Sequence, residues 1–492
     1  MRRFFLFLFA LLAAFPVIGQ EQRHIRDCRP GLETLKYDHN VHSAQAMRRA
    51  GTAAGNKYIG DRNQLVVMAA FADKGFKGDS LQTLTQWNKI LNTRYLSEDS
   101  FYGSVYDYFF EQSYGQFRLS FDLFYTTVDS MMKYHSTYID DENSKYLVQD
   151  VVKALEGKIS DWSQYDWDGD GYVDQLLIIY SGMGQNNGGS DSTIWAHQWW
   201  MSEHENSSAI KVDSIGNEYF IDSYCAVPEQ SGNGSYGSFG TLCHEYSHCL
   251  GLPDFYYGSS SVVGGWDLMD SGNYNGDGFR PCGYSAFERA FMGWLTPMEL
   301  TEMESVTGLP ALSTQPKAYI VRNDAHPDEY YVIENRQKAG WDEMLPGGGI
   351  VIFHVDYDDY TFRLGMPNDK TRNRYTIFPA NNKPAATKAN TKGWAYPNNG
   401  NNSLTDTSEP AAELFNLNSD STLYMNKPIT EMAVIRGMAQ FKFCYPIESS
   451  IVPLKTESVH SGRWYTIDGR ILPGVPDKQG LYIHEGKVVW VR

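Results

Sequence analysis

Cysteine is scarce, with six in 492 residues. The six fall at spacings that match no small disulfide scaffold, and spacing alone does not pair them. Clustered positive charge is also lacking. With 42 Lys and Arg against 59 Asp and Glu, and a formal net charge of -17, the chain lacks the basic footprint that nucleic acid or an anionic membrane demands. Beyond the first twenty residues no apolar run reaches the length of a membrane span, and no internal repeat of solenoid period occurs. A chain of 492 residues exceeds the usual single-domain limit, so two or three domains are expected.

What is present begins at the N-terminus. Arg2 and Arg3 precede an apolar stretch that ends in the small residues Val17 and Gly19, which reads as a secretory signal peptide over residues 1–19. No cysteine follows at once, so a lipid anchor is not expected. The protein should be secreted or held in the cell envelope. Residues 20–63 are polar and aperiodic, as in a leader or propeptide.

The run TLCHEYSHCLGLPDFY, residues 241–256, carries the chemistry. His244 and His248 stand four apart, which on a helix puts both imidazoles on one face, within reach of a single Zn²⁺. Glu245 projects alongside, placed to act as general base toward a metal-activated water. Gly251 can end the helix and turn the chain back, Pro253 discourages further helix, and Asp254 follows as the candidate third ligand. Glu288, on a later helical segment, is the alternative third ligand. Met269 lies downstream in a tight bend, GGWDLMDSGNY over 264–274, and Tyr274 five residues on is a candidate helper for the oxyanion.

With these motifs in place, the chain resembles the immune inhibitor A-type secreted metallopeptidases, a metzincin-like family with the HExxHxxGxxD form. Further landmarks in family order are SVYDYFFEQSYGQFRLSFDL (104–123), DWDGDGYVDQLLIIYSG (166–182), YSAFERAFMGWLTP (284–297) and YYVIENRQKAGWDEMLPGGGIVIFHVD (330–356). Together they cover roughly residues 64–445. The resemblance implies a zinc endopeptidase acting on protein or peptide substrates, with a methionine turn beneath the metal.

The expected fold is α+β: a zincin or metzincin-like catalytic domain over 64–297, with a twisted sheet and a zinc helix at about 238–250, followed by all-β structure. The β part divides into a domain over 298–445 and a small module over 446–492, where strands alternate with Gly, Pro and Asn turns. The loop DWDGDGYVD brings Asp166, Asp168, Asp170 and Asp174 around two glycines, an oxygen-rich arrangement suited to a structural Ca²⁺. It lacks the bidentate glutamate of an EF-hand, since Leu177 stands at that position. Cys243 and Cys249 flank the histidines but point off their face, as buried thiols or a disulfide would. Cys28 in the leader reads as a disulfide partner or an ordinary thiol, with a latency thiolate on the open metal position as the alternative. His197 belongs either to the cleft wall or to a buried tryptophan-rich strand. A monomer is expected. The rival function is a secreted adhesin or binding protein that keeps the peptidase scaffold without catalysis, against which the intact His, Glu, His and Asp set argues.

Overall fold

The computed structural model describes residues 57–98, 100–137, 141–214, 216–445, 463–485 and 487–491. The expected signal peptide, Cys28 and the leader up to residue 56 lie outside them.

The apolar run after Gln64 forms strand β1 (Gly60–Phe71), buried along its second half. Parallel partners flank it: β2 (Phe117–Val128) on one side and β3 (Leu176–Met183) on the other. Two further strands, β4 (His197–Trp200) and β5 (Ser223–Gln230), complete a sheet of order β2-β1-β3-β5-β4, in which only β4 runs antiparallel. Such a sheet is covered on both faces, so its inner strands read as unbroken apolar runs.

Alternation along β1 distributes its side chains between two cores. Val66, Met68 and Ala70 pack with residues of α1 (Ser80–Asn92), α2 (Val105–Gln112) and the histidine-bearing helix α4 (Phe239–Cys249). Leu65, Val67 and Ala69 pack instead with Leu147, Val148 and Val151 of α3 (Ser144–Ala154). Helices α1 and α2 each start in a capping box, Asp79 with Gln82 and Ser104 with Asp107, which satisfies orphan N–H groups at their first turns.

After Pro297 the chain is β-rich. Strands β6 (Glu304–Leu309), β7 (Tyr319–Arg322), β8 (Glu329–Arg336), β9 (Gly349–Asp356), β10 (Tyr375–Ile377), β11 (Ile429–Ile435) and β12 (Met438–Phe443) form two sheets, in the orders β10-β9-β8-β7 and β6-β12-β11. The first is extended at its β7 edge by Met298–Glu299. A short helix, Asp359–Arg363, interrupts the strands, so this part is not purely β as the sequence reading had it.

Val332, Val351, Phe353 and Val355 of β8 and β9 join the same apolar cluster as α4. The described residues through Tyr445 accordingly form one compact mixed α/β unit. Pro446–Arg492 forms a second unit with its own four-stranded antiparallel sheet. Among the described residues no helix is long and apolar enough to cross a membrane.

Helix α4 seats directly on the segment Ser271–Gly278. A Cβ on Gly240 would stand 1.9 Å from the backbone oxygen of Asn273, a contact that backbone cannot relieve by a rotamer change. Gly240→Ala should therefore destabilise this unit by at least about 1–3 kcal/mol, measured as a fall in Tm by circular dichroism. An unchanged Tm would contradict this seating.

Candidate metal centre and cleft

Helix α4 has no side-chain cap at its start, and every one of its residues is buried. Tertiary packing rather than local propensity holds it. Phe239 stacks on Trp341 with ring centroids 5.9 Å apart, Tyr246 donates to Gln64 Oε1 at 2.6 Å, and Ser247 donates to the Cys243 carbonyl at 2.6 Å. At the far end Gly251 adopts φ +100°, in the left-handed region that glycine enters without strain. The Leu252 N–H returns to the Ser247 carbonyl at 3.1 Å, and the reversed chain delivers Asp254 to the two histidines.

The result is a triangle of potential ligand atoms. His244 Nε2 and His248 Nε2 lie 3.2 Å apart, and Asp254 Oδ1 is 3.2 Å from the first and 3.3 Å from the second. Ligands held tetrahedrally at about 2.0–2.1 Å from zinc are separated by about 3.3–3.4 Å, so these atoms fit three corners of such a site. Each imidazole is fixed from behind. His244 Nδ1 donates to the Leu268 carbonyl at 2.8 Å and His248 Nδ1 to the Leu252 carbonyl at 2.7 Å. A carbonyl only accepts, so in the neutral rings both Nε2 atoms present lone pairs inward.

Three acceptors that face one another call for positive charge. Burial opposes the charged form of His244, but the carboxylates of Asp254 and Glu245 outweigh it and raise its pKa to about 9. Burial likewise opposes ionised Asp254, yet the two histidines hold its pKa well below the usual carboxylate range. Among the described residues Asp254 Oδ1 has no hydrogen-bond partner. Donor type, spacing and charge all suit a divalent cation such as zinc. Glu245 offers an oxygen within 4.8 Å of the histidine nitrogens and is 4% exposed.

Beneath the histidines runs the bend that contains Met269, fully buried. Its backbone is tied on both sides: Met269 N–H donates to Asp267 Oδ1 at 2.8 Å, and its carbonyl accepts from Phe255 N–H at 2.8 Å. Asp270 gathers the N–H groups of Val262, Val263 and Gly264 at 2.8–3.0 Å. Because Leu268 both belongs to this bend and orients His244, the bend is part of the centre's scaffold. Glu288 has a different place. Its carboxylate closes the capping box of the helix Ala286–Phe291 with Ser285, and burial, then the nearby Asp267, raises its pKa well above normal.

A cleft of about 220 Å³ opens over the centre, lined by His244, Glu245, Thr241, Trp195, Tyr256 and Tyr274 among others. Tyr274 is 50% exposed. Tyr256, which the sequence reading passed over, lays its ring against His244 with centroids 6.4 Å apart. His197 is buried in β4, bonded to the Trp195 carbonyl at 2.7 Å. Cys243 and Cys249 are buried and form no disulfide among the described residues.

The acidic loop is separate. Asp166, Asp168 and Asp170 offer oxygens within 4.8 Å of one another. Asp174 turns elsewhere, to an ion pair with Lys57, whose ammonium also lies 3.1 Å from Asp168. Asp166 accepts the N–H groups of Gly169, Asp170 and Gly171 at 2.8–3.1 Å.

Comparison with known proteins adds a family. Residues 73–295 match the family model described as Immune inhibitor A peptidase M6, catalytic domain. Immune inhibitor A of Bacillus thuringiensis subsp. alesti is 32% identical over 170 residues, which cover 30% of this chain and 24% of that protein. Pre-pro-metalloprotease PrtV of Vibrio cholerae serotype O1 is 26% identical over 179 residues, 31% of this chain and 19% of that protein. The matched part thus spans a quarter or less of these relatives' length. Residues 73–295 are thus similar to the catalytic domain of the immune inhibitor A-type peptidases.

Proposed function

We propose that this protein is a secreted zinc endopeptidase whose catalytic part spans residues 64–297 and is of the metzincin-like kind. Residues 298–445 buttress it, and residues 446–492 form an accessory module. The observation that carries the reading is the triangle of His244 Nε2, His248 Nε2 and Asp254 Oδ1, with edges of 3.2–3.3 Å and Glu245 beside it in an open cleft. His244, His248 and Asp254 would hold the zinc, which supplies a Lewis acid and an acidified water.

The chain's own residues do the remaining work. Glu245 takes the proton of the attacking water and passes it to the leaving amine as the peptide C–N bond breaks. The Leu268 and Leu252 carbonyls keep both imidazoles in the ligating tautomer. Tyr274 and Tyr256, on the cleft wall, are candidate hydroxyl donors to a carbonyl oxygen that gains negative charge during attack. Trp195 and Thr241 add to the wall of the same cleft. A structural calcium at Asp166, Asp168 and Asp170 belongs to the same proposal, with Asp174 neutralised instead by Lys57.

The adhesin alternative predicts no need for Glu245. Glu245→Gln should lower casein hydrolysis by about 10²–10⁴-fold while the purified protein keeps its zinc by atomic emission; undiminished hydrolysis would sink the assignment of the base. Removal of one ligand separates a second point. Asp254→Ala should lose both zinc and activity, whereas Glu288→Gln should keep its zinc, and the opposite pattern would move the third ligand to Glu288. A chelator should abolish cleavage and added zinc restore it, a reversal that an activity independent of metal would not show.

A further inference from the structure

Two buried acids meet at the Met269 bend, and neither belongs to the triangle of ligands. Glu288 is fully buried. Its Oε2 accepts the Ser285 N–H at 2.6 Å, while its Oε1 meets no hydrogen-bond donor among the described residues. Asp267 is also fully buried and has donors on both oxygens: Oδ1 accepts the Met269 N–H and Oδ2 the Tyr375 O–H, each at 2.8 Å. The Tyr375 hydroxyl is also 2.9 Å from Oγ of Ser285, the cap of the helix on which Glu288 sits. That bridge brings the two carboxyl groups together, within hydrogen-bond reach of one another.

Two ionised carboxylates in contact and out of water repel each other. Arg336, the cation that acts on Asp267, is already engaged by Asp342 and Glu334. One shared proton removes the repulsion and gives the orphaned Glu288 Oε1 a partner. The donors decide which acid holds it. Both Asp267 oxygens accept an N–H or O–H, which favours the ionised form, whereas Glu288 has a single backbone donor and one bare oxygen. The acidities run the same way. Burial, then Asp267, pushes the Glu288 carboxyl well above the usual range; burial pushes Asp267 up too, but its donors hold it to about 6.

We propose that Glu288 is a positioning residue of the metal centre: as a neutral acid it donates a hydrogen bond to Asp267, and that bond fixes the bend from which Leu268 orients His244. Asp267 holds the Met269 N–H, and Leu268 between them presents its carbonyl to His244 Nδ1 at 2.8 Å. Its bearing on catalysis rests on the peptidase reading; the held proton does not. Because the folded-state acidity is raised, this contribution to stability is complete below the ordinary carboxyl range. It is gone once pH passes the raised value, where the proton leaves and two anions face each other. The titratable groups packed around the pair, Tyr108 of α2, Cys282, Tyr284 and Tyr375, are pushed well up by burial and stay neutral over that range, and Asp270 and Arg336 are the charges beside Asp267.

Infrared spectroscopy reads the proton directly. At neutral pH the difference spectrum between the unaltered protein and Glu288→Gln should contain the carbonyl stretch of a protonated carboxylic acid, and a difference spectrum without it would overturn the assignment. The consequence for the centre is read with zinc titrations and a fluorogenic peptide derived from a cleaved casein site. Glu288→Ala should lower zinc affinity or kcat by about 10–100-fold. Glu288→Gln, whose amide N–H can donate to Asp267 in the same place, should recover most of that loss; equal behaviour of the two variants would contradict the role. Above the ordinary carboxyl range the Tm of the unaltered protein should fall with pH more steeply than that of Glu288→Gln, which has no proton to lose there, and identical slopes would also overturn it. If Glu288→Ala fails to fold, the infrared band and the Tm slopes of Glu288→Gln decide alone. If the unaltered protein cleaves no peptide, the peptidase reading falls, while the band, the zinc affinities and the slopes still decide this assignment.

Discussion

Three electron-rich atoms forced within 3.2–3.3 Å of one another are the constraint around which the rest of this structure is arranged. Left to themselves, two imidazole lone pairs and a carboxylate oxygen would separate or collect a proton. The fold prevents separation with few devices. The Leu268 and Leu252 carbonyls hold the rings from behind, and the left-handed Gly251 returns the chain so that Asp254 closes the triangle. A residue with a Cβ at that position would be strained, and the carboxylate would be carried away from the histidines with the continuing chain.

The β-rich segment takes part in this support. Arg336 of β8 is fully buried. It pairs with Asp342 at 2.6 Å and Glu334 at 3.1 Å, and donates to the Gly283 carbonyl at 2.9 Å. Asp342 in turn accepts from Gly283 N–H at 2.9 Å, while Tyr375 of β10 donates to Asp267 at 2.8 Å, directly below the Met269 bend. Buried ion pairs of this kind add little net stability over apolar substitutes, but loss of one partner strands a charge at a cost of about 3–5 kcal/mol. Their value here is positional, because they lock the floor of the centre to a second layer of the fold. The proposed chemistry therefore depends on residues far beyond the helix that carries it.

The helix period, the glycine after it and the aspartate beyond were legible in the sequence because each is a local matter of spacing and backbone preference. The main strands and helices were legible for the same reason, through apolar runs and capping residues. What escaped the sequence was decided by contacts between distant segments. Tyr375 and Asp267 meet at the Met269 bend although 108 residues separate them. Lys57 reaches Asp174 from the edge of the leader and takes one carboxylate out of the acidic loop. The strands after Pro297 carry turn signals typical of a separate domain, yet Val332 and Phe353 share a core with the histidine helix, which no local pattern reveals. Tyr256 lay inside the motif and was still passed over, because its role depends on the direction of a turn rather than on residue type.

The proposed metal site is this triangle and not the neighbouring cysteines. X-ray absorption at the zinc edge of the purified protein distinguishes the two. Nitrogen and oxygen neighbours only are expected, at about 2.0–2.2 Å, with the outer-shell scattering of two imidazoles. A sulfur neighbour at about 2.3 Å would bring Cys243 or Cys249 into the shell and contradict it, as would a protein that binds no zinc.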